Sequence, residues 1–450
     1  MVSEVTISPK LRYLNCEPTI AYKMQKLILK LYDWAWGVAI PLLKRNPRLK
    51  DGYAARTLAA VPRGPFDIWI QAASAGEAYL AASLIKALPT NMKFDVLVTT
   101  NTRQGMEILE KVQGEQQLNV QLTFFPFDKP GIMDSAVLRF DPQVMVLLET
   151  ELWPGLLSAL HRHGCKILMI NARMTPKSLK RYRLMPRFWK ALAPHRVLAI
   201  SGADADRFTE LFGRETVSVM PNIKFDRVVL ENLSTPNTPG LQQLLPQESD
   251  FLVMGSVRQE EEPEVTEILG KLIQRFPDLV IGIFPRHMHR LSAWKQYLGK
   301  TRKTWICRSE VKDGQIKPGT LVLWDTFGEL NVAYSKATAV FVGGSLAPLG
   351  GQNFLEPLIH GVIPVIGPSW ENFAWVGDSL FSQGLVRKVQ NWEMAVAALS
   401  QLIETPPPKS KIQDRAAAYV KKQQGGTNQA CRLILQTLTQ NRAERRSYDR

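Results

Sequence analysis

The chain has 450 residues, 45% of them hydrophobic and 22% charged, with a formal net charge of +15. This length accommodates two ordinary domains with real cores, and the hydrophobic share excludes a disordered chain. The basic excess asks for an anionic partner: nucleic acid, a membrane surface or a phosphorylated substrate. No zinc-finger, helix-turn-helix or RNP pattern supports nucleic acid, and no G-x-x-x-x-G-K-[ST] supports a P-loop kinase or ATPase. Cys16, Cys165, Cys307 and Cys431 are scattered without metal spacing, so they read as reduced cytosolic thiols.

The first apolar run starts late and lacks a small-residue cleavage site, so no cleavable signal peptide is expected. From Met24 to Leu43, Met24, Leu27, Ile28, Leu31, Ala35 and Val38 recur at helical spacing. Lys23, Lys26 and Lys30 lie off that stripe, Trp34 and Trp36 sit in its middle, and Lys44, Arg45 and Arg48 follow. Lys30, Asp33 and Pro41 make it a poor spanning helix. Two readings stand: an interfacial helix on anionic lipid, or a helix packed on its own domain. Residues 1–50 are therefore expected to form an amphipathic, membrane-associated segment.

Beyond Pro65, short apolar runs alternate with helical segments. The strand candidates are Phe66–Ala73, Phe94–Thr100, Leu122–Pro126, Val144–Glu149, Ile167–Ala172 and Val197–Ser201, with Val217–Pro221 ending the first half. Such alternation predicts βαβ units and a parallel sheet covered on both faces. Glu231 to Glu248, rich in Asn, Pro, Gln and Thr, reads as a surface connection. The pattern restarts with Phe251–Val257, Leu279–Pro285, Trp305–Arg308, Leu321–Trp324, Ala339–Val342 and Val362–Ile366. The expectation is two doubly wound, Rossmann-like α/β domains, over 51–228 and 229–410, facing a cleft. A last helix over Ile412 to Asn441 and a basic, frayed tail complete residues 411–450.

Polar clusters fall where strands end, the place where such sheets bind ligands. Ala73-Ser74-Ala75-Gly76-Glu77 carries a carboxylate into a helix start, either as a general base or as an ordinary first-turn acid. Glu149-Thr150-Glu151 follows a buried strand, where two carboxylates are costly unless something uses them. Asn171-Ala172-Arg173 leads into Lys177, Lys180, Arg181, Arg183, Arg187 and Lys190, either a solvated face or a phosphate-reading patch. In the second half Pro285-Arg286-His287 offers a cation to a nucleotide phosphate, and Asp325 to Leu330 offers backbone groups to a base. Gly343, Gly344, Gly350 and Gly351 precede Asn353 and a helix-like segment with Glu356. Strand, glycine loop and helix start make an anion site, and Glu356 suits a ribose diol. The plainer alternative is a capping-box-like start built from Asn353 and Glu356.

Taken together these pieces resemble the Kdo (3-deoxy-D-manno-octulosonic acid) transferases of lipopolysaccharide synthesis. The ordered matches are Ser74-Ala75-Gly76-Glu77, Thr99-Thr100-Asn101-Thr102, Glu149 through Pro154, Asn171-Ala172-Arg173, Lys224-Phe225-Asp226, Pro285-Arg286-His287, Asp325 through Leu330, and Gly343-Gly344-Ser345 through Asn353. The resemblance implies a GT-B fold on the cytoplasmic face of the bacterial inner membrane. It further implies inverting transfer of Kdo from CMP-Kdo to a lipid A precursor, without a cofactor or metal. Glu77 would be the general base and Glu151 a second acidic residue, with Ser74, Gly76, Thr102 and Arg173 on the substrate side. Arg286 and His287 would meet the CMP phosphate, Phe327, Gly328 and Glu329 the cytosine, and Gly351, Asn353 and Glu356 the phosphate and ribose. The chain departs from the family pattern at Arg258 and Gln352, each in place of a histidine. Those departures leave two alternatives: a paralogue using another CMP-activated acidic sugar or acceptor, and a non-catalytic glycolipid-binding module.

Overall fold

Strands β1 (Phe66–Ala72), β2 (Asp95–Thr100), β3 (Asn119–Phe124), β4 (Pro142–Leu148), β5 (Lys166–Ala172), β6 (Arg196–Ala199) and β7 (Val217–Val219) are short apolar runs with little polar alternation. A strand covered by helices on both sides needs this composition, and side chains of alternating parity divide between two cores. Trp69, Met145, Leu147 and Met169 enter one core, and Ile68, Ile70, Val144, Val146 and Leu168 the other. The computed structural model describes residues 20–113, 118–228, 244, 249–301, 303–311 and 316–448. Cys16, and the connection expected over Glu231 to Glu248 apart from Leu244, lie outside the described residues.

The strands form a parallel seven-stranded sheet in the order β3-β2-β1-β4-β5-β6-β7. A second parallel sheet of seven contains β8 (Phe251–Val257), β9 (Val280–Pro285), β10 (Trp305–Cys307), β11 (Leu321–Leu323), β12 (Ala339–Val342), β13 (Pro364–Ile366) and β14 (Arg387–Lys388). Its order is β10-β11-β9-β8-β12-β13-β14. Strand β14 carries no apolar signal, being two exposed basic residues, and is absent from the sequence pattern. The chain order reverses between β1 and β4 in one sheet and between β8 and β12 in the other, so each sheet has a topological switch point.

Six helices carry the rest of the argument: α1 (Ile20–Leu43), α2 (Ala75–Ala87), α3 (Arg103–Gln113), α4 (Pro154–Arg162), α5 (Leu355–Ile359) and α6 (Gly426–Tyr448). The chain divides into two compact units, residues to Arg227 with Gln424 onward, and Val228–Gln423. The terminal helix expected as one piece is two, Lys409–Gln423 and α6, separated by Gly425 at φ 107. Helix α6 returns to the first unit, where Ala430, Cys431, Ile434 and Leu438 join one core of its sheet. The tail expected to fray from Asn441 is helical to Tyr448. Asn441 donates to the Gln143 carbonyl (3.1 Å) and Arg442 to Asp67 (2.6 Å), which hold it down.

Helix α1 packs by one side only. Ile28 and Leu29 lean on the first unit's core, Tyr32 donates to Asp128, and the Trp36 ring meets Phe127. The stripe read from the sequence is thus split: Ile28 is half-buried, whereas Met24, Leu27, Leu31, Ala35 and Val38 are exposed, as are Leu42 and, to 69%, Trp34. Among the described residues no helix is long and apolar enough to cross a membrane.

Candidate active site

At the first switch point Ser74 caps α2, its Oγ accepting from the Glu77 amide at 3.3 Å and donating to Glu77 Oε1 at 3.1 Å. The Ala73 amide donates to Glu77 Oε2 at 2.6 Å, so the carboxylate folds back onto the end of β1. Glu77 is therefore a first-turn acid whose carboxylate lies at the end of β1. It is 8% exposed, and burial lifts its pKa to about 7. The charges of Glu151 and Glu149 add to the lift, while the Ala73 and Ser74 hydrogen bonds oppose it. A Cβ on Gly76 would meet only Ser74 Oγ, at 3.7 Å, so open space remains over the first turn.

From the end of β4, Glu149 adopts φ 55, a left-handed conformation costly for a residue with a Cβ. Its Oε1 accepts from Lys224 Nζ at 2.7 Å. Glu151 Oε2 accepts from Trp153 Nε1 at 2.6 Å; burial raises its pKa, while hydrogen bonds from Trp153 and Gln71 lower it. Gln71 is fully buried, accepts from Thr99 Oγ1 at 2.5 Å, and donates to Asn101 Oδ1 at 3.3 Å. Trp69 Nε1 closes this network on Thr99 at 2.8 Å. Nothing in the sequence pattern singles out Gln71, a polar residue inside an apolar strand.

The remaining first-unit residues have mixed employment. Thr102 Oγ1 accepts from the Gly105 amide at 3.0 Å and so caps α3. Asn171, buried and at φ 56, accepts from the Ile223 amide at 2.9 Å, and its Nδ2 has no partner. Arg173 is half-buried, with its carbonyl taking the Thr150 hydroxyl. Lys177, Lys180, Arg181, Arg183, Arg187 and Lys190 are all exposed, a solvated face, with Arg183 paired to Glu210. Asp226 accepts from the amides of Gly425 and Thr427, both at 2.6 Å, and so fastens the start of α6.

At the second switch point the glycine loop does hold an anion, and that anion is the chain's own. The amides of Gly344, Ser345 and Leu346 donate to Glu261, a buried carboxylate that also accepts from the Arg258 amide. The Gly350 amide is spent on Ser369 Oγ (2.8 Å), and the Gly351 amide on the Gly344 carbonyl (2.7 Å). These five amides therefore do not supply the expected phosphate cradle. Helix α5 has only five residues, too short for an appreciable dipole. Asn353 Nδ2 donates to Glu356 Oε1 at 2.8 Å, and Asn353 Oδ1 accepts from the Leu355 amide.

Arg286 and His287 are exposed just past β9, and Arg286 acts on Glu356, whose pKa burial raises and Asn353 and Arg286 lower. His287 is held below its usual value by desolvation, then by Arg258, Arg286 and His289, which marks one cationic cluster. Arg258 and Gln352 converge on Gly344: a Cβ there would lie 3.5 Å from Arg258 Cγ and 3.2 Å from Gln352 Nε2. The two departures from the family pattern are therefore neighbours. Phe327 is 83% exposed and Gly328 has open space around it, but Glu329 is tied to Arg308 (2.9 Å), Trp324 (2.7 Å) and Thr326 (3.1 Å). Its carboxylate shapes the loop from within.

The family model described as 3-deoxy-D-manno-octulosonic-acid transferase (kdotransferase) matches residues 44–227. A bifunctional glycosyltransferase/methyltransferase of Fusobacterium nucleatum subsp. nucleatum is 26% identical over 340 residues, 74% of this chain and 52% of the relative. The chain thus spans about half the length of that protein. A 3-deoxy-D-manno-octulosonic acid transferase of Bordetella pertussis is 28% identical over 371 residues, 80% of this chain and 85% of the relative. A solved glycosyltransferase of Rickettsia africae shares the fold, with a TM-score of 0.54 at 12% identity over 84% of this chain and 99% of that one. With two parallel α/β units the chain has the GT-B fold, and its sequence is similar to that of the Kdo transferases.

Proposed function

We propose that the chain transfers Kdo from CMP-Kdo, with inversion, to a hydroxyl of a lipid A precursor at the cytoplasmic face of the bacterial inner membrane. The observation that carries this reading is the meeting of Glu77 and Glu151 at the first unit's switch point, in a chain similar to the Kdo transferases. The first unit would read the acceptor and the second the nucleotide sugar.

With a pKa of about 7, Glu77 is poised to take the acceptor proton near neutrality. The acceptor oxygen then bonds to the anomeric carbon from the face opposite the phosphate. The bond from that carbon to the phosphate oxygen breaks, and its electron pair leaves with CMP. Glu151, held by Trp153 and Gln71, orders the acceptor, with Ser74, Gly76, Thr102 and Arg173 around it. Arg286 and His287 meet the growing charge on the leaving phosphate. Asn353 and Glu356 hold the ribose, and Phe327 to Glu329 bound the base. The exposed stripe of α1, with Lys26, Lys30, Lys44 and Arg45 beside it, would lie on an anionic membrane surface.

Incubation with freshly made CMP-Kdo and a tetra-acylated lipid A precursor, followed by mass spectrometry, tests the reading. A gain of one or more Kdo masses supports it. CMP binding without a gain moves the assignment to another CMP-activated acidic sugar or acceptor, the alternative favoured by Arg258 and Gln352 meeting at Gly344. Failure to bind CMP leaves a non-catalytic module.

A further inference from the structure

Between α1 and Glu151 runs a continuous chain of contacts, all within the first unit, of which the proposed reaction uses only the last, from Trp153 to Glu151. Tyr32 Oη donates to Asp128 Oδ2 at 2.9 Å. The same carboxylate receives the first amides of α4, Gly155 on Oδ2 at 3.0 Å and Leu156 on Oδ1 at 2.7 Å. Asp128 is 1% exposed, and the fit around it is close: a Cβ on Gly155 would lie 2.4 Å from the Asp128 carbonyl oxygen. Residue 153, immediately before α4, is the tryptophan whose Nε1 holds Glu151 at 2.6 Å. Its ring is pinned from the other side by Phe125, at a centroid distance of 5.6 Å. The segment from Phe125 to Lys129 thus grips Trp153 and the start of α4. Helix α1 grips that segment in turn, through Tyr32, through Trp36 against Phe127, and through Asp33 beside Lys129.

We propose that Asp128 is a positioning residue for Glu151, fixing the Trp153–Gly155 turn and linking it to the docked position of α1. This rests on the assignment of Glu151 to the acceptor side. A buried carboxylate with three donors has one arrangement that satisfies all of them, so the turn it caps has one orientation. Glu151 inherits that orientation through the 2.6 Å bond from Trp153 Nε1, which acts beside its bond from Gln71. Tyr32 is the only α1 side chain among the described residues that bonds directly to Asp128. Movement of α1 therefore reaches the acceptor carboxylate through that phenol.

The test uses the full chain, with Asp128→Asn, Tyr32→Phe and Glu151→Gln made singly and in pairs, and reads kcat, the KM for each substrate and CMP affinity. Asp128→Asn offers one oxygen where two amides and a phenol need acceptors. Its kcat is expected to fall on the order of 10- to 100-fold through misplacement of Glu151. Tyr32→Phe, a milder change, is expected to lower kcat about 2- to 10-fold. Donor KM and CMP affinity stay at the wild-type values in both. In the Glu151→Gln background both effects should vanish, because a positioning residue has nothing left to position. Undiminished effects in that background, or unchanged kcat in Tyr32→Phe, overturn the proposal. If Asp128→Asn does not fold, Tyr32→Phe carries the same cycle alone. A wild-type rate in Glu151→Gln itself removes the catalytic reading of Glu151, an outcome separate from the other two.

Discussion

Lys224 Nζ sits 2.7 Å from Glu149 Oε1 and supplies a counter-charge within the group of three carboxylates at the first switch point. Glu77 and Glu151 stand beside that pair with raised pKa values, and Glu149 contributes to both lifts. The pair therefore moderates the field in which Glu77 titrates. Replacing Lys224 with Met leaves Glu149 uncompensated, and the acidic limb of the transfer rate should move to higher pH by roughly half a unit to one unit. A pH–kcat/KM profile of Lys224→Met against wild type measures the shift. An unmoved limb would show that Lys224 acts only as a tether.

Glu77 makes a prediction in which stability and activity move in opposite directions. Its pKa is about 7 in the folded chain, raised from 4.5. The folded state therefore binds the proton more tightly, and the associated stability, full below pH 4.5, is lost as pH rises through 7. Glu77→Gln has no charge to bury, so its thermal midpoint should exceed that of wild type at pH 8, by an amount equivalent to about 1–3 kcal/mol. At pH 4 the two should agree. Transfer by the same variant should fall on the order of 10²- to 10⁴-fold with CMP affinity retained. Equal loss of CMP binding would make Glu77 a structural cap alone.

The strands and the polar ends of β1, β4 and β9 were legible because both signals are local. An apolar run marks a strand covered on two faces, and a charged residue directly after it has to be used or satisfied. What escaped depends on partners far apart in sequence. Asp128 meets Tyr32 across 96 positions, and Glu261 meets Gly344 across 83. The glycine loop was recognisable as an anion cradle, but only the fold shows that Glu261 fills it. For α1, periodicity locates an apolar stripe without saying which side is covered. Ile28 and Leu31 belong to one stripe in sequence and to different surroundings in the structure. The break before α6 has a local signal in Gly425-Gly426 that the expectation of a single helix passed over, and the return of α6 to the first sheet has none.

The exposed side of α1 makes the membrane reading measurable. Leu31 and Trp34 are 60% and 69% exposed, on the side of the helix away from Tyr32 and Trp36. Burying a large apolar side chain is worth about 1.5–3 kcal/mol. Leu31→Glu with Trp34→Glu should therefore lower partitioning onto anionic vesicles by more than about tenfold per site, while the thermal midpoint stays near wild type. Flotation with vesicles containing phosphatidylglycerol reads the effect. Undiminished binding of the double variant would place the membrane contact elsewhere on the chain.

Glu261 tests whether the self-filled glycine loop supports the donor site. Its carboxylate takes the amides of Arg258 (2.9 Å), Ser345 (3.1 Å) and Leu346 (3.2 Å) as well as Gly344, and it is 1% exposed. Glutamine at this position keeps one oxygen and turns an NH2 group toward amide donors. Each buried donor left unpaired costs about 1–3 kcal/mol, so the second unit should unfold at a lower temperature while the first unit's transition stays in place. Arg258 and Gln352 rest on the loop that would relax, at Gly344, and Arg258 is also tied to Glu261 through its amide. CMP affinity should accordingly fall together with the calorimetric midpoint, although Glu261 is enclosed by backbone and presents no atom to a nucleotide. Glu261→Gln with the second transition and CMP affinity both unchanged would show that the loop keeps its shape without the carboxylate, and that the proposed donor site does not depend on it.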